Sequence, residues 1–143
     1  GMCLTRPSEK KIANTNIFCW KRLDNRGRSI IQEHQYKIGV TQPLVELTLR
    51  HGEVEQVVEL TLRHGEVEQG YHSWVNEPVR SKWAYEKTYL CVIPKGTIYY
   101  TGLENDNEEG YVSETLVVLG PTQYGFFGKI GTELRRQKYT NQK

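Results

Sequence analysis

Residues 45–56 recur letter for letter as residues 58–69, with only Val57 between the copies. Within each copy the residues alternate. Val45, Leu47 and Leu49 are apolar against Glu46, Thr48 and Arg50, and after His51-Gly52 a valine, Val54, stands between Glu53 and Glu55. Successive strand side chains point to opposite faces, so a period of two predicts a half-buried strand, a turn and a short return strand. With His51-Gly52 as a two-residue turn, Leu49 faces Val54 and Leu47 faces Gln56; in the second copy His64-Gly65 sets Leu62 opposite Val67. Run end to end, the copies predict a β-meander, with a helix as the competing reading. Two 13-residue units are too few and too short to stack as a solenoid. The pattern therefore reads as a tandem duplication inside a β protein. Identical copies also offer nearly equivalent registers, and weakly specified strands exchange between chains, so the duplicated hairpin is a route to a homodimer.

The rest of the chain agrees with a strand-rich fold. Val, Ile and Thr supply 32 residues while alanine occurs only at Ala13 and Ala84, a balance that favours strands over helices. Strands are expected over 16–23, 29–38, 88–93, 97–101 and 111–119. Pro94-Lys95-Gly96 predicts a tight hairpin, with proline setting the turn and Gly96 at positive φ. Glu77-Pro78 suits a first helical turn and predicts a short helix near 78–86. The expected fold class is α+β, mainly β, with antiparallel sheets, hairpins and that one helix. At 143 residues the chain is one domain's worth. The expected division is a flexible 1–11, with Gly1 before Met2 as the scar of a cleaved tag, a mainly-β domain over 12–130, and a basic tail over 131–143. In that tail Arg135, Arg136, Lys138 and Lys143 are opposed only by Glu133.

Charge and spacing exclude several function classes. No apolar run approaches the roughly 20 residues that a membrane-spanning helix needs. A net charge of +2 is too balanced to argue for nucleic acid. The best stripe of that kind is Trp20-Lys21-Arg22 with Arg26 and Arg28, with Tyr99-Tyr100 able to stack on bases. Gly120 to Lys129 superficially suggests a phosphate loop but lacks Lys and Ser or Thr directly after the second glycine. Cys3, Cys19 and Cys91 form no Cys-x-x-Cys pair, and His34, His51, His64 and His72 have no metal-binding spacing, so no metal is expected. The cysteine usage and a start without a signal-type apolar stretch predict a cytoplasmic location.

Met2-Cys3-Leu4, Gly70-Tyr71-His72-Ser73-Trp74, the run from Cys91 through Ile93-Pro94-Lys95-Gly96-Thr97 to Tyr99-Tyr100, and Gly110-Tyr111-Val112-Ser113-Glu114 form an ordered set. Together they resemble a group of small uncharacterised proteins of phages and gut-dwelling bacteria, over most of residues 2–119. That resemblance implies a setting on a mobile element and carries over no catalytic residue; the expected role is a non-enzymatic interaction or accessory module with a protein partner and no cofactor. A more distant likeness is to the ADP-ribosyltransferase fold. It implies an NAD-binding enzyme in which Arg22, His72 and Ser73 hold the NAD phosphates and ribose and Glu114 stabilises the cationic sugar as nicotinamide leaves. The same residues also read plainly: Arg22 and Glu114 as solvated strand positions, Ser73 in a turn, and His72 as a hydrogen-bonded side chain.

Overall fold

The computed structural model describes residues 4–29, 34–43, 47–48, 54–55, 62–63, 66–67, 70–78, 86–103, 108–122 and 125–140. Among these residues thirteen strands and one helix follow in order: β1 (Leu4–Thr5), β2 (Lys11–Ile12), β3 (Ile17–Leu23), β4 (Thr41–Pro43), β5 (Leu47–Thr48), β6 (Val54–Glu55), β7 (Leu62–Arg63), β8 (Glu66–Val67), β9 (Tyr71–Trp74), β10 (Lys87–Ile93), β11 (Ile98–Leu103), β12 (Glu109–Ser113), β13 (Thr115–Pro121) and α1 (Gly125–Thr140). The class is α+β and mainly β, with antiparallel pairing between all named strands. Among the described residues no helix is long and apolar enough to cross a membrane.

The large sheet is best understood as two leaves. One runs β4-β13-β10-β3 and the other β9-β12-β11-β1-β8-β7, with β2 also on β11. A single register pair, Trp20 with Trp74, joins them. Alternation puts Cys19 and Leu23 of β3, Tyr89, Cys91 and Ile93 of β10 and Leu116 and Val118 of β13 on the inner face of the first leaf. They form one buried cluster with Tyr71 of β9, against which Tyr99 of β11 and Tyr111 of β12 pack, so the leaves close over a shared core. The first leaf is buried on its other face as well. There Leu90, Val92, Val117 and Leu119 pack with Phe18, Trp20 and Tyr139 of α1.

Three chain segments cross between the leaves at one end. Residues 13–16 connect β2 to β3, residues 94–97 connect β10 to β11, and Glu114 connects β12 to β13. The first two crossings clasp each other: Gly96 N donates to Ala13 O at 2.8 Å, Ala13 N to Thr97 O at 3.0 Å, and Lys95 N to Asn16 Oδ1 at 2.8 Å. Gly96 has φ of 90° and Thr97 N donates to Pro94 O at 3.1 Å, so the expected tight turn is present. It does not close a hairpin. β10 pairs with β3 and β13, while β11 pairs with β12, β1 and β2. Turn chemistry is local, but the choice of strand partner is made by the two-leaf core.

Other expectations are corrected. The stretch read as a flexible start enters the sheet through β1 and β2, with Leu4 fully buried against Val112. The stretch read as a basic tail is helical to Thr140. The helix expected near 78–86 falls largely on residues outside the described ones, and Pro78 and Glu86 at its ends are not helical. Ser29, Gln35 and Ile38 make isolated bridges where a continuous strand was expected.

Among the described residues the two copies of the repeat pair in separate sheets, where one meander was expected. Copy two gives Leu62 opposite Val67 and Arg63 opposite Glu66, as its sequence predicts, and β8 pairs onward with β1. Copy one forms a separate two-stranded sheet with Leu47 opposite Glu55 and Thr48 opposite Val54, one residue out of the expected register.

Candidate functional site

Inside the core, the alternation of β3 places Lys21 on the same face as Cys19 and Leu23. It is only 9% exposed. Its ammonium donates to the His72 carbonyl on the other leaf and lies 5.4 Å from the centre of the Tyr36 ring. Tyr36 in turn packs edge-on against His34, with ring centres 4.4 Å apart, and against Tyr71 at 5.8 Å. Cys19 and Cys91 face each other across β3 and β10. Burial pushes the Cys19 thiol up to about 12, against smaller opposing pulls from Ser73 and Lys21, and it pushes Cys91 well above its ordinary value. Burial likewise raises Tyr71 to about 12 and Tyr36 well above the usual phenol range. Thiols that stay protonated and sealed are poor nucleophiles and poor metal ligands. The cluster is chemically rich but closed, and its lysine joins the two leaves.

The four residues of the transferase reading do not converge. Ser73 points into the core, where its hydroxyl lies close enough to stabilise the Cys19 thiolate slightly without meeting hydrogen-bond geometry. His72, its neighbour on β9, faces the opposite side, beside Val112. Arg22 sits at the opposite end of β3 from the crossings, mostly buried, with its guanidinium 5.4 Å over the Trp74 ring and 3.8 Å from Glu86. Glu114 occupies the crossing end, its amide donating to Ile98 O at 3.0 Å. Arg22 lies five residues along β3 from Ile17, which pairs beside the crossings, so about 16 Å of strand separates the two ends.

The basic stripe also dissolves. Lys21 is inside, Trp20 packs toward α1, and Arg22 is engaged by Glu86. Asp24 Oδ1 accepts from the amides of Arg26 and Arg28, at 2.8 and 2.9 Å, and Oδ2 accepts from Arg28 Nε at 2.9 Å. Partial burial works against ionisation of Asp24, but these bonds outweigh it and hold the carboxyl below its usual range.

The surface that stands out is the outer side of α1. Its inner side is fixed to β13: Thr132 Oγ1 donates to Pro121 O at 2.7 Å and Arg135 Nη1 to Leu119 O at 2.9 Å. The fit is close, because a Cβ on Gly120 would stand 2.3 Å from Thr132 Oγ1. At 100° per residue, Ile130 and Leu134 then point away from the sheet, and they are 41% and 63% exposed. The loop through Gly39 packs beside Arg135, and its neighbours Ile38 and Val40 are exposed. Lys129, Arg136 and Lys138 are exposed on α1, as is Glu133, which lies 3.4 Å from Arg136. The sequence signal for this surface was the spacing of Ile130 and Leu134 by four, hidden by reading the segment as a tail.

Comparison with protein-family models, with curated proteins and with solved structures returned no match.

Proposed function

We propose that the protein is a non-enzymatic interaction module, of the accessory kind encoded on phages and other mobile elements and working in the cytoplasm, and that it docks an acidic protein partner on the outer side of α1. The observation that carries this reading is the pair of exposed apolar side chains Ile130 and Leu134 on the outer side of α1, with exposed Lys129, Arg136 and Lys138 on the same helix. Exposed apolar residues with a charged rim are the composition of a docking patch, and the excess of cations over Glu133 favours an acidic partner. Self-association through the duplicated hairpin is a second partner class within this reading.

The test is a fluorescence titration of the chain with synthetic acidic amphipathic peptides. Leu134→Asp should weaken binding at least about tenfold, equal to about 1.4 kcal/mol, while circular dichroism stays unchanged. Binding that ignores both this substitution and added salt removes the α1 surface from consideration. An NAD-dependent transferase built on Arg22, His72, Ser73 and Glu114 is the competing reading. NAD at 100 times its dissociation constant would stabilise the fold by about 2.7 kcal/mol, which thermal-shift measurement detects directly.

A further inference from the structure

We propose that the edge of β1 is a single seat for which the two copies of the repeat compete, with the first copy, residues 45–56, as the alternative occupant to the second. The seat is made by Leu4 and Thr5, which pair with Val67 and Glu66 of β8. The counterparts of Glu66 and Val67 in the first copy are Glu53 and Val54, in an identical run of neighbours. Backbone pairing and side-chain fit to β1 are therefore the same for both copies, and only the connecting chain differs. That difference is small, since the entropy of a connecting loop grows only with the logarithm of its length. The first copy also gives up little by moving, because among the described residues β5 and β6 pair only with each other, and a two-stranded sheet is marginal in water. Whichever copy is unseated remains a hairpin outside the main sheet. This goes beyond docking on α1 and involves none of its residues.

Cross-linking the full chain tests it. With Cys3→Ser in both variants, Thr5→Cys is combined with Glu66→Cys as the reference and with Glu53→Cys as the test, and both are equilibrated in a glutathione redox buffer. Mass spectrometry of the digests should find the 5–53 link at a yield within about tenfold of the 5–66 link, as comparable populations of two states require. A 5–66 link without any 5–53 link overturns the proposal. Hydrogen exchange at the β1 amides decides independently of cysteine chemistry. Val67→Pro alone and Val54→Pro alone should each leave β1 protected, and the double substitution should strip that protection by at least about a hundredfold. If Val67→Pro alone strips it as thoroughly as the double variant, the seat has one occupant only and the proposal fails.

Discussion

The two copies of the 13-residue repeat have the same sequence and different structures. In copy two an apolar position stands opposite an apolar one, Leu62 against Val67, and a basic position opposite an acidic one, Arg63 against Glu66. In copy one the register slips, so that Leu47 meets Glu55 and Thr48 meets Val54. A one-residue slip exchanges the faces of one strand relative to the other. What distinguishes the copies is a third strand. Val67 and Glu66 also pair with β1, whose Leu4 is fixed in a buried cluster with Val112 and Tyr100. Among the described residues copy one has no such partner in its two-stranded sheet. The alternation of a short hairpin permits several registers, and tertiary pairing selects one.

The largest perturbation acts on the core cluster between the leaves and leaves both copies chemically untouched, since neither contains a cysteine or tyrosine. Cys19, Cys91, Tyr36 and Tyr71 all have folded-state values raised by burial. Their contribution to stability is complete below the unfolded-state values, near 9 for the thiols and 10 for the phenols, and is lost as pH rises toward the folded-state values. For Cys19 alone the loss between pH 9 and about 12 is on the order of 4 kcal/mol. Urea unfolding followed by tryptophan fluorescence should therefore show stability falling steeply above pH 9, and Cys19→Ala should flatten that slope. A flat profile to pH 11 in the parent would mean that the thiols and phenols are open to water.

Next in size is Leu4→Ala, which removes a fully buried side chain and should cost about 2–5 kcal/mol in urea unfolding. It should also erase the difference between the copies, lowering the exchange protection of β8 to that of β6. Protection of β8 that survives would show that copy two sets its own register. The smallest effect compares equivalent glycines. Only two residues, His64 and Gly65, connect the Arg63–Glu66 pair, whereas residues 49–53 connect the Thr48–Val54 pair. Gly65→Val alone should cost under about 0.5 kcal/mol because the first copy takes the seat, and combined with Val54→Pro it should cost about 1–3 kcal/mol, since a β-branched residue is strained in a two-residue turn. Gly52→Val alone should also stay within about 0.5 kcal/mol, and a full cost from Gly65→Val alone would mean that only copy two sits at β1.

Much of this architecture was readable in local pattern. The alternation of residues 17–23 gives β3 and already places a charged residue, Lys21, on the face of Cys19 and Leu23. The turn at Pro94-Lys95-Gly96 follows from its residues. What followed from no local signal was pairing at a distance. The same turn joins two leaves and closes no hairpin because its flanking strands find β3 and β12, far away in sequence. The helix was hidden for a different reason. Gly125, Gly128 and Gly131 lower helix propensity by about 1 kcal/mol each relative to alanine, and packing of Thr132, Arg135 and Tyr139 onto the first leaf outweighs that. The transferase constellation was an order of residues along the chain, and the fold separates them because His72 and Ser73 face opposite sides and Glu114 lies at the far end from Arg22.

The clasp between Asn16 and Lys95 spans 79 residues of sequence, and the whole duplication lies inside that span. Closing so long a loop is part of bringing β3 and β10 together, and long-range closure slows folding. Removing 13 residues from so long a loop changes its closure entropy by only about 0.2 kcal/mol. A duplication at this place is thus nearly invisible to the folding search, and that is how a chain of this topology carries a spare strand pair without folding appreciably more slowly.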